Sequence, residues 1–105
     1  MVSWYFVGIE KSKRRDKKLV AIFESSTGRI KNVNFGAAGM SDYTIHKDRL
    51  RKQRYLDRHS KNEHWNNPLT PGSLSRWVLW NKPSLKTSIA DYKRQFFPRG
   101  QPFNL

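Results

Sequence analysis

Apolar and polar positions divide the chain into two regions with different periods. Trp4-Tyr5-Phe6-Val7-Gly8-Ile9 is aromatic and β-branched, and Leu19-Val20-Ala21-Ile22-Phe23 is an apolar run of strand length. A third strand is expected from Arg29 to Phe35, with Val33 and Phe35 on one face. Ser25-Ser26-Thr27-Gly28 is a turn signal between the second and third strands, and Gly36-Ala37-Ala38-Gly39 ends the pattern. Together these predict a three-stranded antiparallel meander. Beyond it the pattern turns helical. Lys47 to Ser60 lacks Pro and Gly and carries a thin apolar stripe of Ile45, Leu50, Tyr55 and Leu56. Thr70-Pro71 is a helix start, a hydroxyl cap followed by proline, ahead of Leu74, Trp77, Val78 and Trp80. Ser84 caps a last helix in which Leu85, Ile89, Tyr92 and Phe96 are spaced four, three and four apart. The predicted fold class is α+β in a single small domain, residues 1–97. The strands lie within 3–35, three helices within 46–97, and residues 98–105 are expected as a tail.

Composition sets limits on this picture. One domain suits 105 residues, and the 13% of aromatic residues supplies enough bulk for a core. There is no cysteine, so disulfides and thiolate metal sites are excluded. No apolar stretch approaches the roughly 18 residues of a membrane-spanning helix. Met1-Val2-Ser3-Trp4 has no basic segment ahead of an apolar run, so no secretory signal is expected.

Charge changes the reading most. Lys and Arg number 21 against 8 acidic residues, a net charge of +13. Such a surplus attracts polyanions, of which nucleic acid is the commonest. The cations cluster in two places. One is the loop expected between the first two strands: Lys11, Lys13, Arg14, Arg15, Lys17 and Lys18. The other is the basic helix: Lys47, Arg49, Arg51, Lys52, Arg54, Arg58 and Lys61. The bland alternative for that helix is a solvated charged face. The residues expected to contact phosphate are Lys13, Arg14, Arg15, Lys17, Lys18, Arg49, Arg51, Lys52, Arg54 and Arg58, gathered into a continuous strip.

Catalytic patterns are sparse. His46, His59 and His64 stand near Asp57 and Glu63, which raises a nuclease or metal site. Their spacing fits neither a zinc site nor a His–Asn–His unit, and surface or packing histidines are the simpler reading. Gly36 to Gly39 could cradle a phosphate, but without a helix directly after it a chain reversal is preferred. No Gly-x-Ser-x-Gly elbow or phosphate-binding Gly-rich loop occurs. Neither catalytic residue nor metal nor cofactor is therefore assigned. Trp4, Tyr5 and Phe6 could stack on single-stranded bases, while Trp77, Trp80 and Phe96 are expected in the core.

Several strings resemble a known group. They are Phe35-Gly36-Ala37-Ala38-Gly39, His46-Lys47-Asp48, Arg54-Tyr55-Leu56-Asp57-Arg58-His59, Pro68-Leu69-Thr70-Pro71-Gly72 and Leu74-Ser75-Arg76-Trp77-Val78-Leu79-Trp80-Asn81-Lys82. Over residues 33–96 the chain resembles a family of small basic proteins from large double-stranded DNA viruses of algae and protists. That resemblance implies a viral or algal setting, in the virion or the infected cell and not secreted. It transfers no catalytic residue. The expected function is a non-enzymatic binder of nucleic acid, DNA first, associated with a viral genome. The alternatives are a minor capsid protein contacting other virion subunits and, more weakly, a small nuclease using His59 and His64. No membrane partner is expected.

Overall fold

A computed structural model describes residues 2–105. Strands β1 (Ser3–Lys11), β2 (Lys17–Ser25) and β3 (Ile30–Ala37) form the expected antiparallel meander. Trp4 lies opposite Ser25, Phe6 opposite Phe23, Ala21 opposite Val33 and Leu19 opposite Phe35. Alternation of side chains across a strand therefore gathers the large apolar residues on one face. A register shift between Phe6 and Gly8 leaves Val7 without a partner and 57% exposed.

Four short helices follow, α1 (Tyr43–His46), α2 (Arg49–His59), α3 (Pro71–Leu74) and α4 (Leu85–Phe96), of which α3 and α4 supply Leu74 and Tyr92 to the core on that inner face. The α3 segment runs on through a π-helical turn, Ser75–Leu79, in which the Trp80 N–H reaches back to the Ser75 carbonyl. The core joins Trp4, Phe23, Phe35, Leu69, Leu74, Val78, Tyr92 and Phe97 across the two layers. The α+β reading holds.

Local chemistry explains where the elements differ from expectation. The helix expected from Lys47 begins at Arg49, because the Asp48 carboxylate accepts from the N–H groups of Leu50 and Arg51 as its cap. Lys47 itself turns left-handed (φ 56°) to end α1. Residues 98–105 are not a free tail. After a 3₁₀ turn at Pro98–Gly100 the chain returns as β4 (Phe103–Asn104), antiparallel to β1 at the sheet edge. Phe103 packs against the core there, which offsets the entropy of ordering the segment. The expectation of core positions for Trp77, Trp80 and Phe96 also needs correction. All three are only partly buried at the rim, while Trp4 is buried. Trp4 and Phe6 point inward and Tyr5 outward, so they form no common stacking surface.

Two buried phenols make the fold sensitive to alkali. Tyr92 is fully buried and donates its hydroxyl to the Pro68 carbonyl at 2.8 Å. Burial pushes its ionisation far above the usual tyrosine range, and pushes that of Tyr55 up to about 12. The unfolded chain loses these protons near pH 10, while the native chain still holds them. Stability is therefore complete below pH 10 and is expected to fall as pH rises through Tyr55's native value. Melting temperatures recorded from pH 8 to 12 check this; a flat profile above pH 10 contradicts it.

Candidate nucleic-acid interface

Helix α2 presents half of the expected site, and its seating decides which of those cations face outward. Its inner face is Lys52, Tyr55 and His59, a spacing of three and four. Tyr55 stacks flat on Trp80, with centroids 4.2 Å apart and an interplanar angle of 3°. His59 lies on the other side of Tyr55 at 4.2 Å. The π turn supplies the Trp80 ring that anchors α2. With that face down, Arg51, Arg54 and Arg58 stand exposed along one flank, again at spacings of three and four. Among the described residues, none of the three is ion-paired.

The two basic clusters of the sequence meet at one place. A cleft of about 360 Å³ is lined by Lys17 and Lys18 of β2, Arg58 and His59 of α2, and the glycines Gly36 and Gly72. Two carboxylates also line it. The first is buried Asp42, which holds the Lys18 ammonium at 2.5 Å and caps α1 by accepting from the Thr44 N–H at 2.9 Å. The second is Glu63, which accepts from the Trp65 indole N–H at 2.8 Å and faces His59 Nδ1 at 3.1 Å. Gly72 leaves room for that carboxylate, since a Cβ there would meet it at 3.2 Å.

The ten expected contacts therefore do not form one strip. Arg51, Arg54 and Arg58 are free on the α2 flank, and Lys17 joins them through the cleft. Lys18 is spent on Asp42. At the β1–β2 turn the exposed Arg14 guanidinium forks onto Asp16 at 2.9 and 3.1 Å and holds that carboxyl below the usual range. Lys13 and Arg14 line a groove on the outer sheet face with Glu10, away from the cleft, and Arg15 is exposed. Arg49 lies on the opposite flank of α2 and shares a second groove with Lys52. Lys52 donates to the Asn81 carbonyl at 2.7 Å and sits over the Tyr43 ring at 5.0 Å. Burial, then the nearby Arg76, Lys82 and Arg49 charges, lower its pKa.

Sequence reasoning missed four participants. Asp42 and Glu63 neutralise the cleft, and Lys82 completes the second groove. Arg76 is half-buried, with its guanidinium over Trp77 at 4.1 Å and Trp65 at 5.4 Å, and donates to the Trp80 carbonyl at 3.0 Å. Only the Arg-Trp pair in sequence hinted at that packing. The histidines do not converge. His59 pairs with Glu63, whereas His64 is exposed and lends its main-chain carbonyl to the Ser73 hydroxyl. His46 Nδ1 accepts from the Asp48 N–H at 2.9 Å, which places the neutral ring's proton on Nε2. Among the described residues, no three His, Cys, Asp or Glu side chains are grouped to hold a metal, and no helix is long and apolar enough to cross a membrane.

Residues 7–59, from β1 through α2, match a family of unknown function (DUF5754). No curated protein and no solved structure matches the chain.

Proposed function

The chain belongs to the DUF5754 family, and for it we propose a non-enzymatic role as a nucleic-acid-binding protein that grips the phosphate backbone of DNA with little sequence preference. One observation carries the reading. Arg51, Arg54 and Arg58 form an exposed row with no ion-pair partner among the described residues, and the row continues into a cleft that Arg58 lines together with Lys17 from a distant part of the chain. Guanidinium groups suit phosphate because their planar fork donates two parallel hydrogen bonds. Lys13 and Arg15, both exposed at the hairpin turn, extend the positive field. We read the row as a grip on the phosphate backbone, so affinity comes from charge and counterion release and carries little sequence information. The resemblance to small basic proteins of large double-stranded DNA viruses supplies the setting, a protein that travels with a viral genome.

Fluorescence anisotropy with a duplex across a salt series tests the proposal. The logarithm of the binding constant is expected to fall linearly with the logarithm of salt concentration. Replacing Arg51, Arg54 and Arg58 together with glutamine is expected to flatten that slope by about 0.9 for each phosphate contact removed. The same loss should appear with unrelated duplex sequences. Undetectable binding at low salt, or an unchanged slope in the triple variant, overturns the reading. Parallel titrations with RNA and heparin separate a DNA preference from general attraction to polyanions.

A further inference from the structure

Unlike the cleft, the second groove has no carboxylate among the described residues that line it. About 430 Å³ in volume, it lies between the start of α2 and the Asn81–Pro83 segment. Arg49 and Lys82 stand at its exposed rim, and half-buried Lys52 forms its floor. Tyr43 and Leu56 make an apolar wall, and the Gln53 side chain adds a polar edge. Nearby acids are engaged elsewhere. Asp48 caps α2, Asp57 takes the Gln53 amide at 2.9 Å, and Asp91 takes Asn81 Nδ2 at 2.8 Å and Arg94 at 3.0 Å.

Among the described residues none of the three cations sharing this concave surface is ion-paired, although Asp91, held low first by the Asn81 amide, also feels the Lys82 charge. Lys52 is fixed by its single bond to the Asn81 carbonyl, and an ammonium has three donors, so two remain for a ligand. Burial first, then the like charges of Arg76, Lys82 and Arg49, disfavour protonated Lys52, and an anion in the groove offsets the like-charge part of that cost. Arg49 brings a flat fork and Lys82 a mobile point charge, the pairing that suits tetrahedral oxyanions. We propose that this groove is a discrete site for a terminal phosphate or diphosphate group. The group could be carried by a free nucleotide or by the 5′ end of a strand; the shared chemistry is a compact anion of two or more charges. The site needs no duplex and stands on the flank of α2 opposite the Arg51–Arg54–Arg58 row.

Calorimetric titration of the intact chain with inorganic pyrophosphate, at roughly physiological ionic strength near 0.15 M, reads the site directly. Saturable one-to-one binding is expected. Arg49→Gln and Lys82→Gln, both exposed and so compatible with folding, should each weaken it by about tenfold, the loss of one charge-assisted contact. Arg54→Gln should leave it unchanged. Lys52 is left intact because it also caps the Asn81 carbonyl. Adenosine diphosphate binding as tightly as pyrophosphate assigns the site to free nucleotides. A preference for a 5′-phosphorylated over a 5′-hydroxyl oligonucleotide, lost in Lys82→Gln, assigns it to strand ends. Uptake that does not saturate, or that Arg54→Gln weakens as much as Lys82→Gln does, overturns the proposal. Duplex binding by the Arg51–Arg54–Arg58 row is measured separately, so either idea can fail without the other.

Discussion

Replacing Asp42 with alanine is expected to destabilise the fold by about 3 kcal/mol, the lower end of the cost of breaking a buried ion pair. Asp42 is 2% exposed. One of its oxygens holds Lys18 Nζ at 2.5 Å, and the other accepts from both the N–H and the hydroxyl of Thr44. Alanine removes the α1 cap and leaves an ammonium whose side chain is only 18% exposed without its counterion. The lower end applies because lysine's flexible stem can carry its charge toward water. Asp42→Asn keeps acceptors for Thr44 while removing the charge, so it should cost less. Urea denaturation measures both; a loss below about 1 kcal/mol for alanine means Lys18 escapes freely, and the pair is then unimportant. The same change removes a negative charge from the cleft. Duplex binding at low salt should strengthen in whatever fraction of Asp42→Ala remains folded.

Gly36→Ala is expected to be nearly as damaging, for steric reasons. Gly36 has a φ of 78°, and an added Cβ would come within 2.7 Å of Leu79 Cδ1 and 3.4 Å of the Lys18 side chain. The left-handed backbone costs about 1 kcal/mol for alanine, and crowding a packed core costs about 1–3 kcal/mol more. Leu79 is 4% exposed and belongs to the core, so yielding toward the cleft that it lines would disturb its packing. The sum, about 2–4 kcal/mol, corresponds to a fall of roughly 10–20 °C in melting temperature for a domain of this size. Gly39 separates the two contributions. Its φ is 83°, but nothing lies within 4 Å of its missing Cβ. Gly39→Ala should therefore show the backbone cost alone. Equal losses at the two positions would refute the crowding argument.

Cleft and stability are thus coupled at Asp42, Lys18 and Gly36. The β2–β3 pair and the α1 cap that shape the cleft are held by contacts whose removal is expected to destabilise the protein. The α2 flank is different. Arg51, Arg54 and Arg58 make no such contacts, which is why they can be changed to read binding with little effect on folding.

Much of the architecture was legible along the chain because its causes are local. Aromatic and β-branched content placed β1, an apolar run of strand length placed β2, Val33 and Phe35 on one face placed β3, the four–three–four stripe placed α4, and the hydroxyl caps at Thr70 and Ser84 marked helix starts. The thin stripe of α2 pointed to a helix with charge left over but not to its buried face: Ile45 and Leu50 are both 61% exposed, and Tyr55 seats the helix. The errors were local as well: Asp48 outweighed Lys47 as the start of α2, and the hydrophobic Phe103 drew the supposed tail back to the sheet.

The candidate site was legible only in part. Arg51, Arg54 and Arg58 follow from helical spacing, but the fate of the other cations depends on partners distant in sequence. Lys18 meets Asp42 across 24 residues and Lys52 meets the Asn81 carbonyl across 29. Net charge, the meander and the amphipathic helices follow from residue type and short-range spacing, which the chain carries before it folds. Which cations remain free, and that Lys82 joins Arg49 in one groove, follows from packing α2 onto Trp80. An ion pair is settled by distance in space, and a one-dimensional pattern does not contain that distance.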